Sequence, residues 1–249
     1  MTNALLVNAV YVLSVRSFTD RIEHIRQEMA RHAIPFEFIF EHDIPDLSKE
    51  DLERYFPAAC AINLPQQSLV LKHIKAWRHC VENGFERVLV FEDDVFLHSD
   101  FTNLLNRALQ APKLPKQGYL LFLGGADTRV PKEYFLERGP VFQNPIATAD
   151  GYVTDAVACA RRLDWIALHK ANLPADHLLK HVDAQCGTDQ YWTTTALVQQ
   201  GSVFGSFTST LDNRRQQHSN FFNNVRYQWK IFQRRTLPGF IVRLLNRPR

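Results

Sequence analysis

The amino-acid sequence predicts an α/β protein, a mostly parallel sheet flanked by helices, followed by a basic, aromatic C-terminal tail. Three observations carry this. The chain opens with an apolar, β-branched stretch, then a helix-period stretch, then a second strand pattern, an order that implies a right-handed crossover and a parallel pair. Arg87 to His98, read RVLVFEDDVFLH, runs four apolar residues into three consecutive carboxylates, the pattern of a buried strand arriving at the edge of an open sheet. From residue 210 onward nine Lys/Arg stand against one acid, Asp212, interleaved with Phe221, Phe222, Tyr227, Trp229, Phe232 and Phe240.

A chain of 249 residues, 45% hydrophobic and 22% charged, can bury a substantial core. We read one domain over residues 1–209 and a separate segment over 210–249. The overall charge of +3 divides into a mildly acidic body and a strongly basic tail, which points the tail at an anionic partner. Cys60, Cys80, Cys159 and Cys186 are widely spaced without a CxxC pair, so they read as reduced thiols rather than a zinc site or a disulfide framework. The opening MTNALLVNAVYVLSV has no basic leader and no long apolar run, so it reads as the first strand and not as a signal peptide or membrane span.

Taken in order, Val7 to Val15 is strand-like. Ile22, Ile25 and Met29 place a helix over Asp20 to His32, stopped by Pro35, and Phe36 to Phe40 alternates as the second strand. Arg16 and Arg21 flank the end of the first strand and the start of that helix, where phosphate is favoured. Ser48 with Asp51 resembles a capping box for a short helix within a Pro-rich excursion. Val70, Ile74, Trp77 and Val81 define a helix from Ser68 to Asn83, with Gly84 closing it and His73 beside its apolar stripe. Ser99 to Gln110 reads as a helix and Tyr119 to Leu123 as a strand closed by Gly124 and Gly125. Thr128 to Gly151, broken by three prolines, reads as a lid or hairpin; Ala156 to Ala160 as a small-residue strand; Leu163 to Ala171 as a helix. Thr188 is a helix cap in sequence terms, so Asp189 to Gln199 is expected to be helical, with a last strand or loop from Gly201. Ile231, Leu237, Ile241, Leu244 and Leu245 suggest one or two short amphipathic helices split by Pro238, of the basic kind that lies on membrane surfaces.

Three adjacent acids repel one another and need a cation or hydrogen-bond donors when buried, so Glu92, Asp93 and Asp94 are candidates to hold a divalent metal at the ligand-binding edge of the sheet.

Several of these segments together resemble glycosyltransferase family 25: VYVLSVRSFTDRIEHIRQEMARHAIPFEFI, then SLVLKHIKAWRHCVENGFERVLVFEDDVFLHSDF, and more weakly TDAVACARRLDWIAL and TDQYW. The sequence departs from the family at Lys72, where a serine is usual, and at Val157, where an aromatic is more typical. The resemblance implies a GT-A-like, Rossmann-related fold and inverting transfer of a hexose from a nucleotide-sugar, commonly UDP-galactose. Glu92 and Asp94 would then bind Mn²⁺ or Mg²⁺, and Arg16, Arg21, His73 and Asp93 would contact the donor. Inversion needs a carboxylate base on the acceptor side; Asp189 is the first candidate, with Asp155, Asp127 and Asp183 as rivals and His218 as a further metal ligand to test. The expected acceptor is a lipooligosaccharide or similar lipid-linked glycan. The expected location is cytoplasmic, peripheral at the inner face of the membrane, with the tail on anionic lipid and no nucleic acid partner. The alternative function is a non-catalytic nucleotide-sugar or glycan-binding module recruited to a membrane surface.

Overall fold

The structure, a computed structural model, describes residues 4–124, 139–144 and 147–204, together with 135, 207, 225, 229–230 and 232–245. The opening unit forms as its periodicity dictates. Strand β1 (Ala9–Leu13) leads into helix α1 (Thr19–Arg31), which buries Ile22, Ile25 and Met29, and β2 (Glu37–Ile39) returns parallel to β1. Ser48 caps the short helix α2 (Lys49–Tyr55) by accepting from the Asp51 amide. Helix α3 (Leu64–Glu82) starts a turn earlier than the apolar spacing indicates. Asn63 and Gln66 form a reciprocal capping box there and Pro65 sits in the first turn, where its missing N–H costs nothing. Gly84, at φ +62°, takes the left-handed conformation that closes α3 before β3 (Arg87–Glu92).

After β3 come β4 (Val95–Leu97), α4 (Phe101–Leu109), β5 (Tyr119–Phe122) and β6 (Val141–Gln143). Next are β7 (Gly151–Asp155), α5 (Ala156–His169) and α6 (Ala175–Cys186), then β8 (Asp189–Thr193), β9 (Val198–Gln200) and the single-turn helix α7 (Gly201–Phe204). The main sheet has the order β2-β1-β3-β7-β5-β8-β6. β2, β1, β3, β5 and β8 run one way, and β7 and β6 run against them. Helices α3, α5 and α6 pack on one face around Trp77, Tyr152 and Trp192; α1 and α4 cover the other around Ile25, Phe91 and Phe101. This is the mostly parallel, helix-flanked α/β sheet that the sequence predicts.

Several elements differ from the sequence reading, among them Gly201 to Phe204, which turns as a short helix where a strand or loop is expected. Ala156 to Ala160 is the start of α5, not a strand, because Asp155 accepts from the amides of Val157 and Ala158 and begins the helix there. The strand lies just before it, with Tyr152 and Val153 wholly buried. Asp189 to Gln199 is two strands: the aromatic and β-branched run DQYWT pairs with β5 on one side and β6 on the other, and pairing outweighs the cap signal of Thr188. Helix α6 was not anticipated, although Leu178, Leu179 and Val182 have helical spacing. In the tail, helix α8 (Leu237–Leu245) is not split by Pro238, which lies in its first turn.

Candidate active site

Parallel sheets bind ligands beyond the carboxyl ends of their strands. At that edge a cleft of about 320 Å³ opens between the end of β1 (Leu13, Ser14, Val15), the start of α1 (Phe18, Arg21), the turn after β2 (Ile44, Pro45), one side of α3 (Ser68, Leu69, Lys72) and the end of β3 (Glu92, Asp93). A volume of this size falls in the small-ligand range.

The three acids after β3 have different partners. Asp93, buried, gives one oxygen to the Arg21 guanidinium at 2.6 Å and the other to the Ser14 hydroxyl at 2.7 Å. Burial nevertheless holds its pKa above the usual carboxylate value. Glu92 accepts from Gln200 Nε2 at 2.8 Å; burial, reinforced by Asp94, Asp150, Asp93 and Asp176, pushes its carboxyl well up. Asp94 is 1% exposed; Oδ2 accepts from the Ser202 amide at 3.0 Å, and Oδ1 has no hydrogen-bond partner among the described residues.

Asp150 joins them. Because β7 runs against its neighbours, the residue before it reaches the same edge as the end of β3, and the Glu92 amide donates to the Asp150 carbonyl at 3.0 Å. Its carboxyl accepts from Thr148 at 2.6 Å and lies over Gly124, where an added Cβ would stand 2.0 Å from Oδ2. Burial first, and Asp94 among the other causes, pushes its pKa up to about 6.

Of the residues expected at the donor, Arg21 and Asp93 line the cleft. Arg16 is turned outward, its side chain 57% exposed, donating to the Phe40 carbonyl and pairing with Asp46 at 3.0 Å. Its backbone amide does bind Asp43 Oδ2, which helps to set the cleft wall. His73 is buried beneath β7, with Nδ1 2.8 Å from the Tyr152 hydroxyl, and burial lowers its pKa to about 3. A neutral imidazole there offers no charge to a phosphate. The neighbouring Lys72 reaches the cleft instead. It is 2% exposed, and its ammonium donates to the carbonyls of Phe40 and Glu41 and to Asp43 Oδ1 at 2.7 Å.

Asp189 is not brought to this edge. It pairs with Tyr119 at the opposite end of the strands, is exposed, and accepts from Gln143. Four strand residues separate its row from that edge, about 13 Å along the strand alone. Asp155 lies in the same far row as the cap of α5, and Asp183 is locked in a buried pair with Arg162 at 2.6 Å. Asp127 and His218 lie outside the described residues. Sequence reasoning missed Ser14, Lys72, Asp150 and Gln200. The signal for Ser14 is its position directly after β1, and for Asp150 an Asp-Gly step before a strand; Gln200 carries none.

The residues at this edge that could hold a cation are Glu92 and Asp94, with Asp150 nearby. The orphaned oxygen of Asp94 and the raised carboxyls fit a missing positive charge. Among the described residues no group of three or more His, Cys, Asp or Glu is gathered to cage an ion unaided. Two carboxylates completed by substrate phosphates and water is the ordinary coordination of Mg²⁺-like ions.

The profile of Glycosyltransferase family 25 (LPS biosynthesis protein) matches residues 7–135, just over half of the chain. The chain belongs to glycosyltransferase family 25. It is 33% identical over 92 residues to the lipooligosaccharide biosynthesis protein lic2B of Haemophilus influenzae, covering 35% of this chain and 34% of that protein. It is 30% identical over 91 residues to the lacto-N-neotetraose biosynthesis glycosyltransferase LgtB of Neisseria meningitidis serogroup B, covering 35% and 33%. It is 32% identical over 126 residues to the human protein named inactive glycosyltransferase 25 family member 3, covering 49% and 21%. The matched part spans about a third or less of these relatives' own length. Among the described residues no helix is long and apolar enough to cross a membrane.

Proposed function

We propose that this member of family 25 is an inverting, metal-dependent glycosyltransferase that moves a hexose, galactose by first expectation, from a UDP-sugar to a lipooligosaccharide or similar lipid-linked glycan. The observation that carries the reading is a cleft in the small-ligand range, lined by Glu92 and Asp93, together with a buried carboxylate oxygen on the next residue, Asp94 Oδ1, that has no hydrogen-bond partner among the described residues. The relatives named for lipooligosaccharide and lacto-N-neotetraose biosynthesis support the acceptor class.

In this reading the apolar walls from Leu13, Ile44, Pro45 and Leu69 take the nucleoside and Arg21 places positive charge beside the diphosphate, while Lys72, whose ammonium is held by Phe40, Glu41 and Asp43, fixes the cleft wall. Glu92 and Asp94 would hold Mn²⁺ or Mg²⁺, whose bound form supplies charge stabilisation for the departing UDP. Asp93 holds Arg21 in place from behind. As the acceptor hydroxyl attacks the anomeric carbon, the bond to the diphosphate oxygen breaks and the hydroxyl proton passes to a carboxylate. We assign that proton to Asp150, the acid at this edge outside the EDD run, in preference to Asp189. The name of the human relative keeps the binding-module alternative in play.

The deciding assay is Mn²⁺-dependent release of UDP from UDP-hexoses, with and without glycan acceptors, for wild type and Asp94→Ala. The reading expects a loss of about 100-fold or more in the variant, the scale of removing one charge-stabilising group. Unchanged turnover in Asp94→Ala with metal present would overturn it, and nucleotide-sugar binding without any turnover would favour the module.

The tail supports a peripheral attachment, and the segment 210–249 is proposed as a unit separate from the catalytic body. Leu237, Phe240, Ile241, Leu244 and Leu245 recur at helical spacing on α8 and are 41–76% exposed, while Gly239, on the other side, meets Phe135. An apolar stripe in a segment with nine basic residues fits the interface of an anionic bilayer. Phe240→Glu/Leu244→Glu is expected to abolish sedimentation with vesicles containing phosphatidylglycerol and to spare turnover on a soluble acceptor; retained sedimentation refutes the attachment.

A further inference from the structure

We infer that Gln200 and the Ser202 amide form a neutral clamp that decides which oxygens of Glu92 and Asp94 are offered to a divalent cation, making Gln200 a positioning residue; the inference rests on the metal-dependent reading above. The clamp comes from far along the chain. Gln200 Nε2 donates to Glu92 Oε2 at 2.8 Å, the Gly201 amide to the Asp94 carbonyl at 2.7 Å and the Ser202 amide to Asp94 Oδ2 at 3.0 Å. Three consecutive residues thus fasten the two acids, and each carboxylate keeps one oxygen that no protein donor takes among the described residues. For Asp94 that oxygen is fully buried.

The position of the clamp is set by a small antiparallel sheet. β9 pairs with β4 in the register Val95 with Gln200 and Leu97 with Val198, so the residue after β9 falls opposite the acid before β4. β4 is pinned in turn to α1: Glu28 accepts from the Leu97 amide at 2.6 Å, and His24 Nε2 bonds the Val95 carbonyl at 2.8 Å. Gly201 is required for the approach, because a Cβ there would come within 2.9 Å of the Asp94 carbonyl.

The chemical type of each donor sorts the acids. Arg21 neutralises Asp93, so that acid has little charge left for a metal. Gln200 and the Ser202 amide orient Glu92 and Asp94 without cancelling their charge, which a cation then meets in full. A Lys or Arg at position 200 would make the same hydrogen bond and compete with the cation. Outer partners of this kind set ligand orientation and are worth roughly 10–100-fold in metal affinity.

The test uses the full chain and reads Mn²⁺-dependent UDP binding by calorimetry, with melting temperature in the absence of Mn²⁺ as the control for folding. Gln200→Leu removes the donor, and Gln200→Lys keeps a donor but brings a charge. Both are expected to raise the Mn²⁺ concentration for half-saturation about 10-fold or more, with metal-free melting little changed. Wild-type Mn²⁺ dependence in Gln200→Lys overturns the sorting by charge, and wild-type dependence in both variants overturns the clamp. If the wild type itself binds UDP without regard to Mn²⁺, the metal reading fails first and the clamp falls with it.

Discussion

Replacing Arg21 by Met removes the cation from a pair in which the guanidinium is 15% and the Asp93 side chain 6% exposed. With charge centres about 4 Å apart and an effective dielectric constant of about 20, the attraction is about 4 kcal/mol. Part of that is returned, because the guanidinium no longer has to be desolvated and Ser14 still donates to Asp93. Leaving one member of a buried pair uncompensated costs about 3–5 kcal/mol in comparable cases, so we expect a loss of about 3 kcal/mol at pH 7. Urea unfolding of Arg21→Met, Asp93→Asn and the double variant measures it. The double variant should recover most of the single loss, since no buried charge is then stranded. UDP affinity separates the second role of Arg21: it should stay low in the double variant and be closer to normal in Asp93→Asn. A single-variant loss below about 1 kcal/mol, or a double variant as unstable as the sum of the two singles, would refute the argument.

Lys72→Met takes away the nearer cation of Asp43 but leaves the Arg16 guanidinium at 3.7 Å and the Arg16 amide, so the loss should be smaller, about 1–3 kcal/mol by the same measurement, with UDP binding weakened as the cleft wall shifts. Gly124→Ala drives a methyl into Asp150 Oδ2 and should cost about 1–3 kcal/mol, a penalty that shrinks in an Asp150→Ala background where the oxygen is gone. The pH dependence has a definite sign. His73 is held neutral with a pKa near 3, below its ordinary value, so the unfolded chain takes up its proton first and stability falls as pH drops below about 6.5; between pH 7 and 5 this is about 2 kcal/mol. Asp150 works against it, since a carboxyl raised to about 6 binds its proton more tightly when folded and loses stability as pH rises through that value. Comparing wild type with His73→Gln at both pH values isolates the histidine, and equal pH dependence in the two proteins would exclude its role.

Where one local signal dominated, the sequence was legible. The β-α-β opening, the strand Arg87–Glu92 and the caps at Ser48 and Gly84 follow from spacing and chain stiffness, and Arg21 and Asp93 follow from strand-end chemistry. The misread segments are those where local and long-range preferences compete. Thr188-Asp189 carries a genuine helix-start signal, but the strand partners on both sides are more than forty residues away in sequence and invisible to periodicity. His73 beside the cleft-lining Lys72 shows how one helical step of about 100° turns a residue from a pocket into the core. Asp150 and Gln200 were hidden because each reaches the acids only through strand register.

The antiparallel β7 has a consequence for how the chain is made. β3 acquires its second neighbour only when Gly151–Asp155 has left the ribosome, and β5 cannot join the sheet without that same strand. Until then the nascent N-terminal half holds Val88 to Phe91 as an open, wholly apolar edge, the kind of template that recruits other chains. The carboxylates that close this edge also act as its gatekeepers, since three charges at the end of an unpaired strand oppose stacking of one nascent chain on another. Substitutions that neutralise Glu92 and Asp94 should therefore lower soluble yield during synthesis even where the finished protein is stable.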